Sequence, residues 1–232
     1  MICAIHQPQT YPWLGYFAKI MQADVFIFLD NVQFKKNEWQ NRNKIRTPDG
    51  WQWLTVPVIH HFGQNIMDVK INDTIDWRKK HLQSLRTYYS KAPFFSQYFD
   101  EITVLYQTDW KNLADFNIAG IQLIMSLTGI NTPILIASEM DVFKNKPQVS
   151  ADERLIIATK AVEADVYLSG AGGHNYLDME LFPQNDIGLI FQSFEHPIYR
   201  QMTAEFLPFM SVLDLLFNEG PQTLSVIIRG IL

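Results

Sequence analysis

The apolar residues of this chain fall into two alternating patterns. Short continuous runs of strand length, "MICAIH" (1–6) and "DVFIFLD" (24–30), flank a segment, "LGYFAKIMQA" (14–23), in which Leu14, Phe17, Ile20 and Met21 recur at helical spacing. Two apolar strands around one amphipathic helix predict a βαβ unit with parallel strands. Residues 38–58 change the rhythm: they alternate on both sides of Pro48-Asp49-Gly50, which predicts a β-hairpin. Helical spacing returns over 76–90 and 112–128, the second ended by Gly129. "TPILIAS" (132–138) reads as a strand. Ser150-Ala-Asp-Glu153 then has the form of a capping box, opening a helix to about Glu163. "DVYLS" (165–169) and "GLIFQSF" (188–194) supply further strands, and "SVLDLLFN" (211–218) a short helix. The expectation is one α/β domain over 1–232: a mostly parallel sheet flanked by helices, Rossmann-like, with a hairpin insertion at about 38–58.

Composition narrows the classes. At 47% hydrophobic and 19% charged, 232 residues can bury a substantial core. A net charge of −5 counts against a general nucleic-acid binder. The single cysteine, Cys3, excludes an internal disulfide; inside an apolar run it reads as a small core residue. No stretch has the length of a transmembrane helix and no leader pattern opens the chain, so a cytoplasmic protein without membrane insertion is expected.

The polar residues that interrupt this pattern are the candidates for function. Ligands of open parallel sheets bind beyond the carboxyl ends of the strands, where His6, Gln7 and Gln9 fall. Pro8 and Pro12 fix the path onward, Thr10 is a candidate N-cap, and Gly15 lets a ring or a phosphate approach the helix backbone. Trp13 and Tyr16 complete this group, although both equally suit plain packing of the helix on the sheet. Arg42, Lys44 and Arg46 share one strand face, either as a diphosphate site or as a charged edge. Gln33, Gln40, Asn41 and Asn43 beside them are rich in hydrogen-bonding groups, and Trp39, Trp51 and Trp53 can stack on a base or sugar. The loop "SGAGGHNYLD" follows a strand; Ser169, Gly170, Gly172 and Gly173 permit an anion-binding nest, with His174 and Asp178 close by. Asp178 suits either a base or a turn cap. Asp30, at a strand end, is the best-placed ligand for a magnesium ion carried by a nucleotide. No spacing of His, Cys and carboxylates resembles a protein metal site.

The first strand–helix junction is similar to a degraded His-x-Gly-His signature of nucleotidylyltransferases, retaining only the glycine. A closer likeness exists. Residues 6–58, "YLSGAGGHNYLD" and "FEHPIYRQ…FLPFMSVLDLLFNEG" resemble the WbqC-like protein family over nearly the whole chain, with His174 standing where members often carry Arg or Lys. The resemblance implies a setting in O-antigen or other surface-polysaccharide synthesis and a transfer of an amino acid such as glycine, or another acyl group, to the amine of a nucleotide-linked amino sugar. ATP with Mg²⁺ is one route to activating the carboxylate; an already activated acyl donor is another. In this reading His6 is the general base, with Asp30 also catalytic. The rival is a non-catalytic binder of nucleotide sugar or glycan within a biosynthetic complex. The expected partner is a small molecule rather than a nucleic acid, and the oligomeric state is left open.

Overall fold

The computed structural model describes residues 1–145 and 149–232. Its centre is a parallel sheet of five strands: β1 (Ile2–His6), β2 (Val25–Phe28), β7 (Ile134–Ile136), β8 (Val166–Ser169) and β9 (Gly188–Phe191), in the order β7-β2-β1-β8-β9. Between β2 and β7 lie a hairpin of β3 (Arg42–Thr47) and β4 (Gly50–Thr55), and a small antiparallel pair of β5 (Val58–Ile59) and β6 (Lys70–Ile71). The helices are α1 (Leu14–Met21), α2 (Trp77–Tyr89), α3 (Phe95–Gln107), α4 (Leu113–Thr128), α5 (Asp141–Lys144), α6 (Ala151–Ala161), α7 (Val212–Glu219) and α8 (Thr223–Arg229).

Why β1 and β2 read as unbroken apolar runs is now plain. Successive strand side chains point to opposite faces, and both faces are covered. Ala4, Phe26 and Phe28 join a large core with α1, α2, α3, α4, α7 and α8; Cys3, Ile5, Val25 and Ile27 join a second core with α5 and α6. The sheet is thus the middle of three layers, as the periodicity predicts.

Local signals set the element ends. Gly129 adopts the left-handed conformation (φ 78°) that closes α4. At α6, Glu153 N–H donates to Ser150 Oγ (3.2 Å) while Ser150 N–H donates to Glu153 Oε2 (2.7 Å), the reciprocal pairing expected of a capping box. The hairpin turns at Pro48-Asp49, with Thr47 paired to Gly50, whose φ of 139° suits only glycine. Three helices lie outside the predicted set, α3, α8 and the single turn of α5. The apolar side of α3 (Phe95, Tyr98, Phe99, Ile102, Leu105, Tyr106) has helical spacing, so this signal was present in the sequence.

Candidate functional site

β1 ends at His6 in the middle of the sheet, with β2 on one side and β8 on the other. The chain then turns through a loop held by side chains from distant elements. Asn43 Nδ2 donates to the Tyr11 carbonyl (2.8 Å), and Asn117 Nδ2, from α4, donates to the carbonyls of Gln40 (2.7 Å) and Pro8 (3.3 Å). Tyr11 sits at φ 41°, a left-handed conformation that costs a side-chain-bearing residue about 1–3 kcal/mol. Those amides pin it there. Thr10 does not cap the helix; its hydroxyl lies 2.8 Å from Asn117 Oδ1 and 3.0 Å from the Gln40 carbonyl. Trp13 occupies the cap position, without a side-chain cap bond, and α1 starts at Leu14.

Beyond this junction is a cavity of about 240 Å³ whose walls include His6, Tyr16, Lys19, Gly170, Gly172 and Gln192. His6 Nδ1 is 3.1 Å from the Gln7 carbonyl. A carbonyl only accepts, so Nδ1 carries the proton and Nε2 keeps its lone pair. Burial, and then the nearby Lys19, push the imidazole down to about 3, so it is neutral across the physiological range. Lys19 is almost fully buried, and its Nζ donates to the Ile5 carbonyl (2.8 Å). Among the described residues no carboxylate pairs with it. Desolvation pushes this amine down to about 7. The group of this cavity that titrates near neutrality is therefore Lys19 rather than the expected His6. Cys3, with its thiol raised by burial to about 12, is the core residue the sequence suggests.

Gly15 does accommodate a ring, but the ring is the chain's own. A Cβ there would lie 2.3 Å from the Trp13 indole, which folds back over the helix and packs among Phe194, His196 and Phe209. Tyr16 donates to the Gln7 carbonyl (3.0 Å) and meets His6 edge-on at 4.8 Å between ring centres. It positions the imidazole from below.

The glycine loop reaches the same cavity from β8. Gly170 and Gly172 line it, and at each a Cβ would have open space. Ser169 lies buried beneath them, its hydroxyl donating to the Gly170 carbonyl (3.2 Å). Gly173 faces inward: a Cβ would stand 2.2 Å from Ser169 Oγ, so here glycine serves packing. His174 stacks on Phe191, and Asp178 accepts from the Glu180 N–H (3.1 Å), which makes it a turn cap.

The remaining candidates are placed elsewhere. Asp30 is buried at the same edge of the sheet, accepting from the Ser138 N–H (2.9 Å) and hydroxyl (2.6 Å), and it does not line the His6 cavity. Burial raises its carboxyl above the usual range despite these bonds. Gln7 Oε1 accepts from Gln40 Nε2 (2.6 Å), Asn41 Nδ2 donates to the Val56 carbonyl (3.1 Å), and Gln33 forms a bridge with Asn65 at the surface. The amide-rich run thus holds the hairpin to the junction. Gln9 is half-buried outside the cavity lining.

The expected row of three free cations is broken. Arg46 is buried and donates to the carbonyls of Thr47, Gly50 and Glu205. Arg42 donates to the Asn37 carbonyl and lies over Trp53 (4.0 Å), while Lys44 sits among Trp39, Trp51 and Trp53 at 5.8, 4.4 and 5.5 Å. The face is a cation–indole ladder, partly exposed at Trp39 and Trp51. No cluster of three or more metal-ligating side chains occurs among the described residues.

Two functional candidates, Lys19 and Gln192, escaped the sequence reading. Lys19 carried one readable signal: a lysine within a helix whose other residues are almost all apolar. Gln192 carried none, since its place above Gly15, where Nε2 donates to the Gly15 carbonyl (2.8 Å), depends on β9 lying beside β8.

Comparison with known proteins agrees with the motifs. The chain is 34% identical over 223 residues to the uncharacterized protein Rv1507c of Mycobacterium tuberculosis, covering 94% of each chain. No solved structure matches, so the nucleotidylyltransferase-like likeness gains no structural neighbour. The WbqC-like family model matches residues 7–226, which takes in the loop and helix that follow His6 and the glycine loop across the cavity. This chain belongs to the WbqC-like protein family.

Proposed function

We propose that this protein is a transferase of surface-polysaccharide synthesis that joins an amino acid or another acyl group to the amine of a nucleotide-linked amino sugar. One observation carries the reading: a single cavity at the carboxyl edge of the sheet gathers a neutral imidazole, an unpaired buried amine and a glycine loop. Amide formation needs a deprotonated acceptor amine, a place for its proton, and donors for the oxygen that becomes negative during attack. Backbone N–H groups of the glycine loop suit the last need. Likeness to the WbqC-like family supports the surface-polysaccharide setting.

At about 240 Å³ the cavity is smaller than the sites of about 300–1,000 Å³ typical for whole drug-sized ligands. It fits the reacting end of a substrate, with the nucleotide outside. ATP with Mg²⁺ finds weaker support than the sequence suggested, because Arg46 is turned inward and Asp30 is bonded to Ser138. An acyl donor activated beforehand suits the residues better.

The test supplies the full chain with nucleotide-linked amino sugars and either amino acid plus ATP or preformed acyl donors, and follows amide formation by mass spectrometry. Amide product in one of these combinations is the expected result. Tight nucleotide-sugar binding without product from any donor would favour the non-catalytic binder.

A further inference from the structure

We infer that Lys19 is the proton acceptor of this cavity, its Nζ taking the proton that an acceptor amine releases as it attacks the acyl carbon. The inference rests on the acyl-transfer reading for its reaction, and on geometry for the rest. Lys19 projects from α1 to the carboxyl end of β1, where it forms one wall of the cavity and spends a single donor on the Ile5 carbonyl. A neutral amine so placed retains a lone pair and a second N–H.

The surroundings favour the uncharged form of that amine. From β1 it faces Cys3 and His6; from β8 the Tyr167 ring lies 5.8 Å from Nζ; its own helix contributes Tyr16, and Gln192 reaches in beside β9. None of these is an anion at neutral pH: the thiol and both phenols are shifted upward by burial, and the imidazole is neutral. An ammonium without a counter-ion in such a place is costly, which agrees with the amine's downward shift. His6 is a poorer acceptor in the same cavity. Its Nδ1–H is fixed on Gln7, and a proton on Nε2 would put a second positive charge beside Lys19 whenever that is charged. Nε2 serves instead to accept a hydrogen bond from the incoming amine and to orient it.

The step balances with an acyl phosphate, acyl adenylate or thioester as donor. The acceptor amine's lone pair forms the N–C bond, and the carbonyl π pair moves to oxygen. Collapse restores C=O and breaks the bond to the leaving group, which departs with its electron pair. The proton on the new ammonium nitrogen passes to Lys19 Nζ, and from there to solvent before the next turnover. Proton transfer by a positioned group contributes about 10²–10⁴-fold in rate.

Two measurements test it. In the full chain labelled with [ε-¹³C]lysine, the Lys19 resonance is assigned by its absence from Lys19→Gln, and its shift is followed against pH. A midpoint within about one unit of 7 is expected; a midpoint above 9 overturns the inference whatever the reaction proves to be. In the transfer assay, Lys19→Gln and Lys19→Arg should both lose about 10²–10⁴-fold in kcat while KM stays within a few-fold. Arginine keeps the positive charge and cannot give up its proton, so an active Lys19→Arg sinks the role. If the wild type transfers nothing yet Lys19 titrates near 7, the acyl-transfer reading falls and with it the role of Lys19 in amide formation, while the shifted amine remains as a property of the cavity.

Discussion

The His6–Lys19 cavity and the β3–β4 hairpin both hold basic and aromatic residues, and the structure treats them in opposite ways. On the hairpin, Arg42 and Lys44 rest against indole faces in reach of water, and Arg46 is tied to three carbonyls. In the cavity, Lys19 is buried and His6 half-buried, and their affinities for protons fall far below the usual values. The hairpin is the richer region by residue type; the cavity is the more reactive by environment. Burial without a counter-ion, rather than the number of basic residues, is what converts a side chain into a chemical group poised at neutral pH.

Exchanging Lys19 for Met should sharpen this contrast most. The folded amine titrates near 7 against 10.5 for an ordinary lysine, so between those values the unfolded chain binds more protons and wild-type stability rises with pH. Lys19→Met removes this dependence. At pH 7 it should be more stable by about 3–4 kcal/mol in urea denaturation, the gain disappearing toward pH 10.5. The counterpart Lys44→Met should change stability by only about 1 kcal/mol. A Lys44 effect equal to that of Lys19 would abolish the distinction between the two regions.

Gly15→Ala comes next. Its Cβ would overlap the Trp13 ring, so the indole must leave its place beside Phe194 and Phe209, at a cost of about 2 kcal/mol and a change in tryptophan fluorescence. Unaltered stability and emission would show that Trp13 does not cover the helix. The His6 effect is smaller because its ring is partly open to the cavity. Its folded value is lowered from 6.5 to about 3, so stability is lost as pH falls below 6.5. Relative to wild type, His6→Gln should gain about 1 kcal/mol on going from pH 7 to pH 5, read by denaturation at the two pH values. Least of all, Arg42→Ala should cost about 0.5–1 kcal/mol through the lost stacking on Trp53. A loss of nucleotide-sugar binding in that variant, in isothermal titration, would bring the hairpin back into the site.

Much of the fold was legible because the sheet is covered on both faces. Continuous apolar runs, a capping box and a turn dipeptide are local patterns, and each of them marks its element. The rim was legible too, since His6 and the residues after Ser169 each follow a parallel strand. What could not be read was the destination of individual side chains. Gln40, Asn41 and Asn43 look like ligand groups in sequence, yet Gln40 bonds Gln7 and the Lys35 N–H, Asn41 the Val56 carbonyl and Asn43 the Tyr11 carbonyl. Lys19 stands out in sequence only as a lysine in a nearly apolar helix; the nearness of β8 to β1, which the sequence does not display, helps to take it out of water. Periodicity reports which face is apolar, not which polar group has been enclosed.

The strand order has a further consequence, in time rather than space. β1 leaves the ribosome well before its neighbour β8, which follows about 160 residues later, and Gln192 and Phe194 later still. The cavity's first wall is therefore synthesised long before its last. Until then His6 and Lys19 lie open to water, where neither is neutralised by its surroundings. Contacts this distant in sequence form slowly. A nascent chain, or one cut before β8, would carry every residue of the amino-terminal motif and still lack the chemistry that the finished sheet confers.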